Sequence, residues 1–252
     1  MLSIYKCGLI ASVLHLKVAD IRPLFAGLLP EIAAPLGLTA LFLGLTPLPA
    51  DALNSVREQE IAECRVGEIS TWGDGRDRPA LASPLVFVYQ HRGAPAWFSE
   101  AEVLARVKQA AVAWSQCGVP SQVLGGDSVA PAGAVHVQWS DQGSVGNFGL
   151  ANLGQRSLSL GPAAFALLHQ RNPAHDARQT LQMVISHEMG HLYGLMAHSR
   201  RCVDVTSYYH DGKGQQCHVR DERARKTVLE YRATLPTACD IQRCRLANGL
   251  LK

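Results

Sequence analysis

The stretch His187-Glu188-Met189-Gly190-His191-Leu192-Tyr193-Gly194-Leu195-Met196-Ala197-His198 decides how the rest of this 252-residue chain is read. His187 and His191 are four residues apart, so on a helix both imidazoles project from one face and can hold a single metal ion. Glu188 falls about 100° further round the helix. That places its carboxylate beside such an ion rather than on it, where it can hold a water. Zinc would lower the pKa of that water, and Glu188 would take its proton and pass it to a leaving amine. The pattern needs a helix, and the apolar residues Leu181, Met183, Val184 and Ile185 before it supply one. The spacing predicts a helix over 178–193, stopped at Gly194.

Zinc needs a third protein ligand. On a continued helix, His198 would lie about 10 Å along the axis from His191, out of reach of a shared ion. A left-handed Gly194 ends the helix and lets the chain fold back, which brings His198 to the metal. The rivals are the later carboxylates Glu222, Glu230 and Asp204, with Cys202 as a soft alternative. Glu222 and Glu230 sit among Arg220, Arg223, Arg225 and Arg232, a run that reads as the charged face of a third helix over 220–232. His198 is the expected third ligand. His91, His136, His169, His175, His210 and His218 show no ligand spacing.

Outward from the motif, the chain alternates strands and helices. Residues 84–91 are a β-rich run, and 135–139 alternate apolar and polar residues as a strand does. Ser99 is placed to cap a helix carrying Val103, Val107, Ala110, Ala111 and Trp114 at helical spacing and ending near Cys117-Gly118. Residues 146–160 are punctuated by Gly and Asn and predict an edge strand with turns; 71–78 read as a loop. The fold class expected is mixed α/β (α+β), a twisted mixed sheet with two long helices and a cysteine-rich C-terminal part.

The motif resembles the extended zinc-binding sequence of the metzincin metallopeptidases, and its His-Glu-x-Gly-His-x-x-Gly-Leu form is most similar to the matrixin-like members. The resemblance runs from Pro84 to about Tyr209. It implies a zinc-dependent endopeptidase with His187, His191 and His198 on Zn2+ and Glu188 as the base. It also implies that Gly149-Leu150-Ala151 is the edge strand along which a protein or peptide substrate is laid, by β-augmentation. Two departures stand out. In the family the third His follows the Gly by three residues; here Ala197 holds that place and His198 is one later. The family's Met under the metal is replaced by Thr206 in a similar turn, Asp204-Val205-Thr206-Ser207-Tyr208-Tyr209. Tyr208 or Tyr209 stands where a turn Tyr assists the oxyanion in some relatives. These departures keep a different class open: a zinc-binding module with weak catalysis that acts through protein interaction.

Composition sets the frame. With 47% hydrophobic and 18% charged residues, the chain is too apolar for disorder and too mixed for a multi-span membrane protein. A net charge of +3 gives no argument for nucleic acid. Residues 1–52 read as a leader: residues 32–50 are uncharged and Ala50-Asp51-Ala52 is a small-residue cleavage pattern. A retained anchor is the rival, weakened by Pro35, Pro47 and Pro49. Cleavage near Ala52 would leave residues 53–252 as one peptidase domain, with its core in 84–209 and a C-terminal helix and tail in 210–252. That product would be secreted or periplasmic, without stable membrane association. Cleavage also removes Cys7 and leaves six cysteines, an even number suited to an oxidising compartment. The pairing expected from short loops is Cys202–Cys217, Cys239–Cys244 and, by remainder, Cys64–Cys117.

Overall fold

The computed structural model describes residues 50–126, 128–226 and 228–251. Apart from its last three residues, the expected leader over 1–52 lies outside them. The elements in chain order are α1 (Ala50–Ala62), β1 (Leu85–Tyr89), α2 (Glu100–Ser115), β2 (Ser121–Leu124), β3 (Val135–Trp139) and α3 (Asp141–Ser144). There follow β4 (Gly149–Asn152), β5 (Ser157–Leu160), α4 (Pro162–Arg171), α5 (Ala177–Leu192), α6 (Glu222–Lys226) and α7 (Ala238–Ala247). The fold is mixed α/β. Among the described residues, no helix is long and apolar enough to cross a membrane.

The two long helices have legible starts. Ser99 accepts a hydrogen bond from the Glu102 amide at 3.3 Å, with Glu100 and Glu102 at the positive end of α2. Asp176 caps α5 in the same way through the Arg178 amide at 3.0 Å. The face of α2 formed by Val103, Val107, Ala110, Ala111 and Trp114 is buried. Trp114 fastens α2 to α5 by donating its indole N–H to the Ser186 carbonyl at 2.8 Å.

The five strands are ordered β2-β1-β3-β5-β4. The first four run parallel, and β4 is antiparallel to β5 at the edge, with Gly149 opposite Leu160 and Asn152 opposite Ser157. The main core joins Leu85, Phe87 and Tyr89 of β1, Val135 and Val137 of β3 and Leu158 and Leu160 of β5 to the buried faces of α2 and α5. A smaller cluster of Cys202, Val203, Cys217, Ala224 and Tyr231 organises the C-terminal part.

Two expectations about that C-terminal part are corrected. A helix over 220–232 does not form; among the described residues of that span only the five of α6 are helical. The span's two terminal arginines are committed inward, while Arg223 and Arg225 pair with Asp221 and Glu222 at the surface. Arg220 binds Glu68 through Nε at 2.7 Å and Nη2 at 2.8 Å and donates its amide to Glu60, while the buried Arg232 pairs with Glu230 at 2.8 Å. The cysteine pairing is also different. Cys202–Cys217 is present, but the others are Cys64–Cys239 and Cys117–Cys244, with Cα–Cα distances of 4.8 and 5.7 Å. Cys239 and Cys244 lie five residues apart on α7, so they point about 140° apart and cannot bond to each other. Three disulfides indicate an oxidising compartment.

Candidate metal centre

Helix α5 ends in a pair of hydrogen bonds that turn the chain sharply. Gly194 N donates to the His191 carbonyl at 3.1 Å and Leu195 N to the Gly190 carbonyl at 3.0 Å, with Gly194 at φ +102°. A Cβ at position 194 would lie 1.9 Å from the Arg78 carbonyl oxygen, so the turn and the close approach of residues 78–79 both require glycine. The reversed chain carries His198 back towards the motif. One ring nitrogen from each of His187, His191 and His198 lies within 4.8 Å of the other two.

Each imidazole is oriented by an acceptor at Nδ1. His187 Nδ1 lies 2.8 Å from the Val205 carbonyl, His191 Nδ1 2.7 Å from the Leu195 carbonyl, and His198 Nδ1 2.7 Å from Asp74 Oδ2. Carbonyl and carboxylate oxygens only accept, so each Nδ1 carries the proton and each Nε2 keeps its lone pair. This is the tautomer that metal ligation through Nε2 requires. His198 Nε2 is buried with no hydrogen-bond partner, an orphaned polar atom that a metal would satisfy. Burial pushes His187 well below the ordinary histidine range and His198 down to about 4, with neighbouring histidines reinforcing both shifts. Both are therefore neutral near pH 7. The set suits zinc: three imidazoles on a site that leaves a fourth position to substrate or water.

Glu188 is buried, and burial raises its carboxyl above the usual range despite His191 nearby and a hydrogen bond from the Ala151 amide at 2.8 Å. That amide belongs to edge strand β4, which the Glu188 carboxylate therefore touches directly. A Cβ on Gly149 would sit 2.5 Å from Val184 Cγ1 and 2.9 Å from Glu188 Cγ, so the strand lies against the Glu188 face of α5 only because residue 149 has no side chain.

The other sequence candidates take different places. Glu222 pairs with Arg225 on the surface. Glu230 is engaged by Arg232 and the Tyr209 hydroxyl. Asp204 is buried among Arg201, Ser199 and Thr237. Cys202 is bonded to Cys217. Of the two turn tyrosines, Tyr209 packs on the C-terminal cluster, whereas the Tyr208 ring stacks on His198 with centroids 3.7 Å apart. Thr206 lies under the motif: a Cβ on Gly190 would come within 2.9 Å of its methyl.

Four contributors went unnoticed in the sequence: Asp74, Asp77, Asp240 and Arg243. Asp74 takes both the His198 side chain and its amide, the latter at 2.9 Å. Asp77 accepts the amides of Met196 and Ala197 at 2.9 and 3.1 Å and pairs with Arg243 of α7 at 2.6 Å. Arg243 also reaches the Ala197 carbonyl, and Asp240 of α7 accepts from the Thr206 hydroxyl at 2.6 Å and the Val205 amide at 2.9 Å. The loop over 71–78 and α7 thus clamp the two segments that carry and orient the histidines. Gly-Asp-Gly-Arg-Asp at 73–77 was the available signal, two carboxylates in a glycine-rich loop.

No family model matches the chain, and no curated protein matches it. Among solved structures it is similar to one titled "GM1 bound form of the ECX AB5 holotoxin", with a TM-score of 0.43 and 13% identity over 69% of this chain and 87% of that one. The functional reading below rests on the chain's own residues.

Proposed function

We propose that the protein is an exported zinc-dependent endopeptidase of metzincin, matrixin-like type. The observation that supports this reading best is the convergence of three histidine nitrogens, each with its opposite nitrogen tied down, one helical position from a buried carboxylate. His187, His191 and His198 would hold the ion. When bound, zinc supplies a Lewis acid that polarises the scissile carbonyl and lowers the pKa of a water.

The chain's own groups do the rest. A peptide laid along β4 in extended form runs past Glu188, because the Ala151 amide and the carboxylate are already in contact. Glu188, with its proton affinity raised by burial, takes a proton from the attacking water and returns it to the departing amine. Tyr208, whose ring stacks on His198, would be the turn tyrosine that assists the developing oxyanion. The disulfides and the leader pattern agree with export.

The test is metal content together with peptide cleavage for wild type, Glu188→Gln and His198→Ala. The expected result is one zinc per wild-type chain with cleavage of an unstructured protein such as casein. Glu188→Gln should keep its zinc and lose about a hundredfold or more in rate. His198→Ala should lose most of its zinc. A wild type that holds zinc but cleaves nothing would instead favour the binding-module alternative.

A further inference from the structure

Residues 70–72 and 198–200 run side by side, joined by an antiparallel bridge between Thr71 and Ser199 and by the bonds Trp72 N to His198 O (3.0 Å) and Arg200 N to Ser70 O (2.9 Å). Side chains alternate across such a ladder. Ser199 is turned inward, where its hydroxyl reaches Asp204 at 2.6 Å. Trp72, His198 and Arg200 therefore share the opposite face, and the Cβ of Arg200 stands roughly 7 Å from that of His198, two residues along the strand.

Two adjacent arginines are treated differently here. Arg201 is buried and fully engaged, with Asp204 at 2.9 Å, Glu68 at 3.6 Å and the Glu60 carbonyl at 2.8 Å. Arg200 has no carboxylate within ion-pair distance among the described residues, and its Nε has no hydrogen-bond partner. Its guanidinium lies 4.8 Å from the centre of the Trp72 ring, which holds it in place without neutralising it. The other arginines near the histidines are already paired, Arg232 with Glu230 and Arg243 with Asp77. A rigid, half-buried, uncompensated cation next to a metal ligand is costly in the free protein and complete only when an anion arrives.

We infer that Arg200, braced on Trp72 beside His198, is a specificity determinant that takes a carboxylate of the bound peptide. This rests on the peptidase reading above and names the substrate class of that site. The planar guanidinium matches a carboxylate geometrically. Two groups of a peptide carry that chemistry: an acidic side chain, or the C-terminal carboxylate a short distance past the cleaved bond.

The experiment is a fluorogenic peptide series in which each position flanking the cleaved bond is Glu, Gln or Lys in turn, each peptide made with a free and an amidated C-terminus. It is run on zinc-loaded wild type, Arg200→Gln, Arg200→Lys and Arg200→Glu. In wild type, one carboxylate position should raise kcat/KM by about tenfold to a hundredfold over its neutral counterpart, the range for a charge-assisted hydrogen bond. Arg200→Gln should collapse that ratio to near one, Arg200→Lys should keep part of it, and Arg200→Glu should favour Lys at the same position. An effect of internal Glu identifies a side chain as the partner; an effect confined to the free C-terminus identifies the terminal carboxylate. Cleavage by wild type with no carboxylate preference overturns the inference however the variants fold, as does a preference that survives in Arg200→Gln. Zinc-loaded wild type that cleaves no peptide overturns the peptidase reading itself.

Discussion

Removing the carboxylate of Asp74 tests whether the metal centre depends on a residue more than a hundred positions upstream. Asp74 accepts two hydrogen bonds from one residue: His198 Nδ1 at 2.7 Å to Oδ2 and the His198 amide at 2.9 Å to Oδ1. Burial works to raise its carboxyl, but the bonds from His198 hold it below the ordinary aspartate range, so it is a carboxylate at any working pH. Asp74→Ala leaves the Nδ1 proton without its acceptor and frees the ring to rotate or change tautomer. Losing such an orienting partner costs about tenfold to a hundredfold in metal affinity, or about 1.4–2.7 kcal/mol. Asp74→Asn should not rescue it. An amide has one acceptor oxygen for two donors, and an NH2 group facing Nδ1 would favour the tautomer with the proton on Nε2, which cannot ligate. The assay is competition for zinc against a chelator of known affinity, with metal-free unfolding measured in parallel to separate ligation from folding. Zinc affinity within twofold of wild type in both variants would refute the assigned role.

Gly149→Ala should destabilise the fold by about 1–3 kcal/mol and slow cleavage, because its methyl collides with Val184 and the stem of Glu188; unchanged melting and unchanged kcat/KM would contradict this. Burial, with Asp240 beside it, pushes Asp204 up to about 7 against an ordinary value near 3.8. A raised carboxyl stabilises the protonated fold, so that contribution is complete below about pH 3.8 and is lost as pH rises through the raised range. Urea unfolding across that window should show the slope, and Asp204→Asn should flatten it. Replacing both Cys117 and Cys244 with Ala should cost about 2–5 kcal/mol, since the bridge spans 127 residues; a denaturation midpoint equal to wild type would exclude a structural role for the bond.

Local signals carried the centre of the molecule. The i, i+4 histidines, the apolar turns before them and Gly194 specify α5 and its Schellman end without reference to any other part of the chain. Ser99 and the alternating 135–139 stretch did the same for α2 and β3. What escaped was long-range. Nothing near Asp74 announces that its partner is His198, 124 residues later, and a Gly-Asp-rich loop reads the same whether or not it is clamped to a metal ligand. The expected helix over 220–232 failed because helical propensity cannot register that Arg220 has a carboxylate waiting on Glu68. Two of the three expected cysteine pairs failed for want of α7, although Thr237 and Asp240 form a capping box that was open to reading. Once those residues are placed on a helix, Cys239 and Cys244 diverge and a short-loop pairing is excluded.

The bridges Cys64–Cys239 and Cys117–Cys244 interleave along the chain, so both of them span residues 117 to 239. A backbone cut anywhere between residues 117 and 239 therefore leaves two pieces that remain a single covalent molecule. Proteolysis in those 122 residues, including self-digestion if the proposed peptidase activity holds, would be silent on a non-reducing gel and in gel filtration, and only reductant would release the fragments. Preparations judged intact by size alone can thus be a mixture of whole and nicked chains, with the histidines on α5 and the clamp from α7 still held together across the break.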